Sequence, residues 1–156
     1  MKFPSLAIAI ATFTIAARAA ELPEGIWGKW SFEEDATIRE WLTRGKNDEE
    51  RAQIQKRANA LKLVRQKLGK SVLGYIEISG SQIVAHEGFV NPRFDLLSVE
   101  TERDSVVVRA RHFQVPDDDN PREVLLRIKA NGDIMVFELW DAGELQMLYV
   151  LKKKNA

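Results

Sequence analysis

The sequence predicts an α+β fold: a mainly antiparallel β meander of about eight strands, with a helix pair inserted after the first strand. Two observations predict it. The spacing of apolar residues changes near residue 70 from the helical period to the alternation of strands. Beyond that point, turn residues recur about every eight to twelve positions, as in antiparallel hairpins. Such a sheet either closes into a barrel or curls strongly.

Residues 1–19 have the features of a secretory signal peptide. Lys2 gives a basic start, an apolar run covers 6–17, and Ala17-Arg18-Ala19 supplies small residues for signal peptidase. The alternative is a retained anchor, but the run is shorter than the ~20 residues of a membrane-spanning helix. We expect cleavage before Ala20 and a periplasmic or extracellular protein, two locations that the sequence does not separate.

The remaining chain is expected to form one domain, with a helical part at 31–69 and the meander at 72–152. Its roughly 137 residues suffice for one sizeable core. The 23 basic residues equal the 23 acidic ones, and loss of Lys2 and Arg18 leaves a slightly acidic domain. Nothing in this balance indicates a nucleic-acid partner. The chain has no cysteine, which excludes disulfides, thiolate catalysis and cysteine-ligated metals.

The first helix follows a short extended piece at 25–30. Ser31 and Glu34 have the spacing of a capping box, and Gly45 stands where a left-handed C-cap belongs. Between them, helical spacing places three apolar residues on one face: Ile38, Trp41 and Leu42.

The second predicted helix is amphipathic and basic. Asn47 and Glu50 repeat the cap, and Gly69 is the expected stop. Apolar residues recur at steps of three and four: Ile54, Ala58, Leu61, and Val64 or Leu68. From Arg51 to Lys70 the chain has seven Lys or Arg residues and no acid. This face either is simply solvated or docks on anionic lipid or an acidic protein.

Seven strands follow. The Gly80-Ser81 pair predicts a type II′ hairpin, and Asn131-Gly132 predicts a type I′ hairpin. The last two strands are apolar on both faces. One face belongs to the core, and the helix pair is expected to cover the other. The predicted strands are 75–79, 82–89, 94–100, 105–113, 123–129, 133–140 and 145–151, and the tryptophan segment at 25–30 makes eight.

Two Gly-x-Trp pairs, 25–27 and 28–30, precede this meander, and together they resemble the opening of lipocalin-like (calycin) barrels. The resemblance extends in architecture over most of the chain after residue 19. In this sequence about forty helical residues separate the tryptophan strand from the next, where a lipocalin continues through a loop. The resemblance implies a barrel that carries small apolar molecules.

Residues suited to catalysis or metal binding are few. A zinc or copper site would need His86 and His112 together, and they lie on strands that are not consecutive. The acidic run 117–120 lacks the glycine and distal glutamate of a calcium loop, which favours a solvated hairpin tip. No nucleophile has a base at a suggestive spacing. We therefore expect no enzymatic activity, no metal and no cofactor.

Two hypotheses of function remain. The first is a noncatalytic exported protein that holds a small apolar or amphipathic ligand in or at the mouth of the sheet. Its contact residues would be Trp27, Trp30, Phe89, Phe94, His112 and Trp140. The second is an envelope interaction module that uses the basic helix 48–68 to bind a protein or anionic lipid. Its contacts would be Lys56, Arg57, Lys62, Arg65 and Lys67.

Overall fold

The protein is a closed eight-stranded antiparallel barrel with two helices between its first and second strands. The structure is a computed structural model that describes residues 20–68, 74–86, 91–115 and 117–155. At 61, 64, 65 and 68 only the backbone is described. The predicted signal peptide and Gly69 lie outside the described residues.

The strands run as a simple meander. They are β1 (Gly28–Phe32), β2 (Tyr75–Ile78), β3 (Gln82–His86), β4 (Arg93–Thr101), β5 (Val106–Phe113), β6 (Arg122–Asn131), β7 (Ile134–Asp141) and β8 (Glu144–Lys153). Each strand pairs with the next, and β1 closes the barrel on β8, with Trp30 opposite Lys153. The predicted fold class and strand order are therefore confirmed.

Apolar side chains fill the barrel. Along β5 and β6 every second residue, from Val106 to Ala110 and from Val124 to Ile128, points inward and is buried. Trp30, Phe137 and Met135 are among the largest fully buried side chains. An eight-stranded barrel has an interior just wide enough for its own side chains, and here those side chains occupy it.

One end of the barrel, here called the plugged end, is closed by the segment before β1. A 3₁₀ helix, Glu24–Ile26, places Leu22 and Ile26 in the core. The indole N–H of Trp30 donates to the Ile26 carbonyl at 2.9 Å, and the Lys153 ammonium lies 5.3 Å from the centre of the Trp30 ring. Gly28 turns the chain into the barrel with φ of +121°, a conformation that favours glycine.

The helices α1 (Glu34–Arg44) and α2 (Asp48–Leu68) follow β1 at the opposite end, here called the mouth. The predicted cap of α1 was wrong, because Ser31 lies in β1 and Glu33 is the N-cap, with no side-chain hydrogen bond. Gly45 has φ of −64° and is not a left-handed cap. The cap of α2 is confirmed, since the Asn47 side chain accepts the Glu50 N–H at 2.9 Å.

Helix α1 covers the outer face of β8, as the apolar pattern of that strand predicts. Leu148 and Val150 point outward and are buried. The indole N–H of Trp41 donates to the Leu148 carbonyl at 3.0 Å. Helix α2 packs on α1, to which Lys62 is joined by an ion pair with Asp35 at 3.2 Å. Thus one helix of the pair covers the sheet and the other forms an outer layer.

Candidate functional site

At the mouth, several inward-facing side chains are only partly buried. The rings of Phe32 on β1 and Tyr149 on β8 meet edge to face, with centroids 5.2 Å apart. Met147, on β8 beside them, is also partly buried against the core. These side chains contrast with those at the plugged end, where Trp30 is 0% exposed. The mouth therefore offers an apolar, aromatic surface that the rest of the interior does not.

His112 forms the opposite wall of the mouth. It ends the inward row of β5, and its ring stacks on that of Phe94 with centroids 4.5 Å apart. Burial of the ring lowers the pKa of His112, and Arg122 acts in the same direction, while Asp118 and Asp141 oppose the shift. The neutral imidazole is thus favoured, which suits contact with an apolar molecule.

The acidic loop between β5 and β6 uses its central carboxylate to fix its own shape. Asp118 accepts the backbone N–H groups of Asn120 at 3.0 Å and Gln114 at 3.1 Å. These two hydrogen bonds lower the pKa of Asp118. The loop thereby holds a negative charge near the mouth, and Arg122 and Asp141 form an ion pair there at 3.6 Å.

Of the predicted ligand-contacting residues, the structure brings Phe94 and His112 into contact and places the other described ones elsewhere. Trp27 and Trp30 belong to the plugged end, where the indole N–H of Trp27 donates to the Leu22 carbonyl at 2.9 Å. Phe94 and His112 are at the mouth. Trp140 lies on the outer surface of β7, and Phe89 is outside the described residues.

Sequence reasoning missed two groups of residues. At the mouth these are Phe32, Met147 and Tyr149. On the outside, they are Arg109, Leu125 and Arg127, which with Trp140, predicted for the other site, line a cleft of about 460 Å³. One signal pointed to it, because Leu125 is an apolar residue in the otherwise charged outward row Glu123, Arg127 and Lys129.

The two histidines lie apart in the fold. His86 is on the outer side of β3, where it stacks on Tyr75 with ring centroids 4.4 Å apart and faces Glu77 at 3.3 Å. His112 faces the barrel interior. The described residues contain no cluster of three or more side chains suited to a metal ion.

The predicted partner-binding residues lie on α2. Lys56, Arg57 and Lys67 are exposed and form no ion pair within the part of the chain that the structure describes, whereas Lys62 pairs with Asp35. The Arg65 side chain is outside the description. Leu63, on the same helix, is 59% exposed. Among the described helices none is long and apolar enough to span a bilayer.

The protein thus belongs to the class of closed eight-stranded antiparallel barrels, and its candidate site is the partly exposed aromatic mouth. This architecture is compatible with a lipocalin-like barrel. Comparison of the chain with protein-family models, curated proteins and solved structures finds no match.

Proposed function

We propose that this is an exported, noncatalytic binding protein of lipocalin-like type that holds a small apolar or amphipathic molecule at the mouth of its barrel. The observation that supports it is the change in burial along the interior. Side chains are fully buried around Trp30, whereas Phe32, Tyr149 and His112 at the mouth are only partly buried. A ligand seated there would cover aromatic surface without displacing the core.

The filled interior limits the depth of the site. Ala110, Val124 and Leu139, which lie between the mouth and the middle of the barrel, are buried. A ligand would thus rest on His112, whose ring stacks on the buried Phe94, and would not reach Trp30. The proposed site is therefore a shallow one near the mouth and not a deep cavity inside the barrel.

A matched pair of histidine variants tests the proposal. The probe is N-phenyl-1-naphthylamine, an uncharged fluorophore that brightens in apolar surroundings. His112→Ala removes a ring at the mouth, and His86→Ala removes a similarly stacked ring from the outer surface. We expect the first to weaken probe binding about five- to tenfold, because one aromatic contact contributes roughly 1 kcal/mol. The second should leave affinity unchanged. Equal affinities, or no binding by the native protein, would contradict a mouth site.

Export is tested separately. When a bacterial host expresses the full chain, the periplasmic or secreted protein should have the mass of residues 20–156. Native mass spectrometry of that product, purified without detergent, should also show any adduct of a few hundred daltons that denaturation removes. A product that retains residues 1–19 would argue for an anchor instead.

The exposure of Leu63 between the basic residues of α2 favours a second candidate, docking on an anionic lipid surface. Lys56, Leu63 and Lys67 are spaced at seven and four residues, so they share one stripe of the helix. Co-sedimentation with phosphatidylglycerol vesicles, compared with phosphatidylcholine vesicles, tests it. Combined reversal of Lys56 and Lys67 to Glu should abolish binding, and His112→Ala should not affect it.

A further inference from the structure

The cleft on the outside of the barrel has the composition of a small-molecule site that is separate from the mouth. Its floor is the outer face of β6, and its far wall is the turn between β7 and β8. The volume of about 460 Å³ is in the range of ligand pockets. The mouth lies inside the barrel and the cleft outside it, so one wall of strands separates the two.

The apolar part of the cleft is built from a cross-strand pair. Trp140 on β7 stands directly opposite Leu125 on β6, and both are half-buried. The indole is held in place, because its N–H donates to a carboxylate oxygen of Glu138 at 2.9 Å. Glu138 is itself buried and bound by Arg44 of α1 at 2.7 Å. The ring is thus oriented by a chain of polar contacts that reaches the helix.

The cationic part consists of two guanidinium groups. Arg109 is neutralised by an ion pair with Glu123. Arg127 is exposed and has no ion pair among the described residues. Among the residues that line the cleft, two guanidinium groups accompany one carboxylate, that of Glu123. Outside the lining, Asp104 has its pKa lowered by Lys129 and also by Arg127. The cleft therefore favours an anion, and guanidinium groups bind carboxylates especially well.

Two local irregularities shape the cleft. Ala142, which lines it, has φ of +50°, a left-handed conformation that is unfavourable for a residue with a Cβ. In addition, the pairing of β7 with β8 shifts register next to Trp140 and leaves Gln146 as an extra residue. Bulges and strained residues are frequent beside functional sites, where they redirect side chains.

From these contacts we infer that the outer cleft binds a small planar aromatic carboxylate. The ring would pack against Trp140 and Leu125, and the carboxylate would pair with Arg127. Ala142 leaves space beside the turn that the Asn or Asp more usual at such a position would occupy. No part of this site depends on the mouth.

2-Naphthoate is a suitable probe, and the indole N–H signals of a ¹H–¹⁵N correlation spectrum locate it. Trp140→Phe identifies the Trp140 signal by its disappearance. We expect 2-naphthoate to shift that signal in the native protein, and 2-naphthylmethanol, which lacks the charge, to bind about tenfold more weakly. Failure of saturating 2-naphthoate to move the Trp140 signal would overturn the proposal.

Arg127→Gln and Arg103→Gln form a matched pair, because each removes one positive charge from an exposed side chain. Arg103 lies in the turn between β4 and β5, at the plugged end. We expect Arg127→Gln to weaken binding of 2-naphthoate about tenfold and Arg103→Gln to change it less than about twofold. Equal affinities in the two variants would also overturn the proposal, since attraction would then arise from overall charge. Loss of 2-naphthoate binding in His112→Ala would place the probe at the mouth, and this result too would overturn the proposal.

Discussion

Glycines in this chain serve two different physical purposes. Gly132 and Gly143 have positive φ and form hairpin turns. Gly80 does not have positive φ, so its predicted type II′ turn was wrong. Because Gly80 has no side chain, the segment before β1 can pack against it. A Cβ at this position would lie 3.0 Å from the Trp27 ring. Sequence shows a glycine in either case, but only tertiary contacts distinguish a turn from a close approach.

Gly74, just before β2, is the tightest of these approaches. A Cβ built at this position would lie 1.4 Å from the carbonyl oxygen of His86. We expect Gly74→Ala to lower the free energy of unfolding by about 3 kcal/mol, because backbone of β2 or β3 must move. Urea denaturation measures the loss. Gly25→Ala is the control, since nothing lies within 4 Å of its Cβ, and it should change stability by less than about 0.5 kcal/mol.

His112 should make stability depend on pH. Its pKa is lowered in the folded protein, so the unfolded chain binds more protons as pH falls below about 6.5, and stability decreases. The contribution is fully present above that pH and is lost as pH falls toward the folded value. Replacement of His112 by Gln should therefore reduce the drop in unfolding free energy between about pH 7.5 and pH 5. His86→Gln, which retains His112, should keep this part of the drop. An unchanged drop in the His112 variant would contradict the assignment.

At the scale of elements, α1 completes the edge of β8 where β1 ends. The last β1 residue, Phe32, pairs with Leu151, and beyond it the backbone of Val150 and Leu148 has no strand on that side. The Glu33 N–H donates to the Val150 carbonyl at 2.9 Å, and Thr37 accepts the Val150 N–H at 2.8 Å. A helix thus supplies hydrogen bonds that a strand would otherwise provide, and no open edge remains there.

Thr37→Val tests this role of the helix. The replacement keeps the shape of the buried side chain but leaves the Val150 N–H without a partner. A buried unsatisfied donor costs about 1–3 kcal/mol, and we expect a loss of that size in chemical denaturation. Thr43→Val is the control on the same helix, because the Thr43 hydroxyl is exposed and donates to the Glu40 carbonyl within its own helix. A comparable loss in both variants would show that the edge contact is unimportant.

In the ion pair between Arg44 of α1 and Glu138 of β7, loss of the arginine should cost more stability than loss of the glutamate. The side chain of Glu138 is 6% exposed and that of Arg44 41% exposed. Arg44→Met leaves a buried carboxylate without its cation and should cost about 2–4 kcal/mol. Glu138→Met leaves an arginine that water reaches, and it should cost less. A thermal or urea unfolding series that finds the reverse order would show that the pair is not governed by desolvation of Glu138.

Periodicity and turn residues predicted six of the eight strands to within two residues at each end, because alternation and hairpin chemistry are local properties. The first strand begins at Gly28 and not at 25, where a 3₁₀ helix lies, and the predicted end of the 82–89 strand is outside the described residues.

Periodicity and turn residues also predicted the hairpin between β6 and β7 but not its turn type, because the loop residues are Gly132 and Asp133 and only Gly132 has positive φ. This geometry matches a Gly-first type II′ hairpin and not the predicted type I′. Asn131 pairs with Ile134, so the loop lies one residue later than predicted. This register depends on contacts across the sheet, which local sequence does not contain.

At the scale of the whole molecule, the candidate site was only partly predictable. Alternation assigns a side chain to the inside or the outside of a barrel, but not to a height along its axis. Trp30 and His112 both face inward, yet they lie near opposite ends. Trp140 was grouped with them, although its neighbours Phe137 and Leu139 are the interior residues of β7. Aromatic residues separated by a hundred positions cannot be joined into one pocket without the strand register.

The filled barrel predicts that the protein needs no ligand to be stable. Because its interior is occupied by its own side chains, protein that is unfolded in guanidinium, dialysed and refolded should have the same denaturation midpoint as protein purified natively. A ligand at the mouth should act only by mass action, adding about 2.7 kcal/mol at a hundred times its dissociation constant. The measurement is a pair of guanidinium denaturation curves, with N-phenyl-1-naphthylamine added back to each sample. The expectation would be wrong if the refolded protein had a lower midpoint that small molecules extracted from the natively purified protein restored and the probe did not. A ligand would then form part of the core.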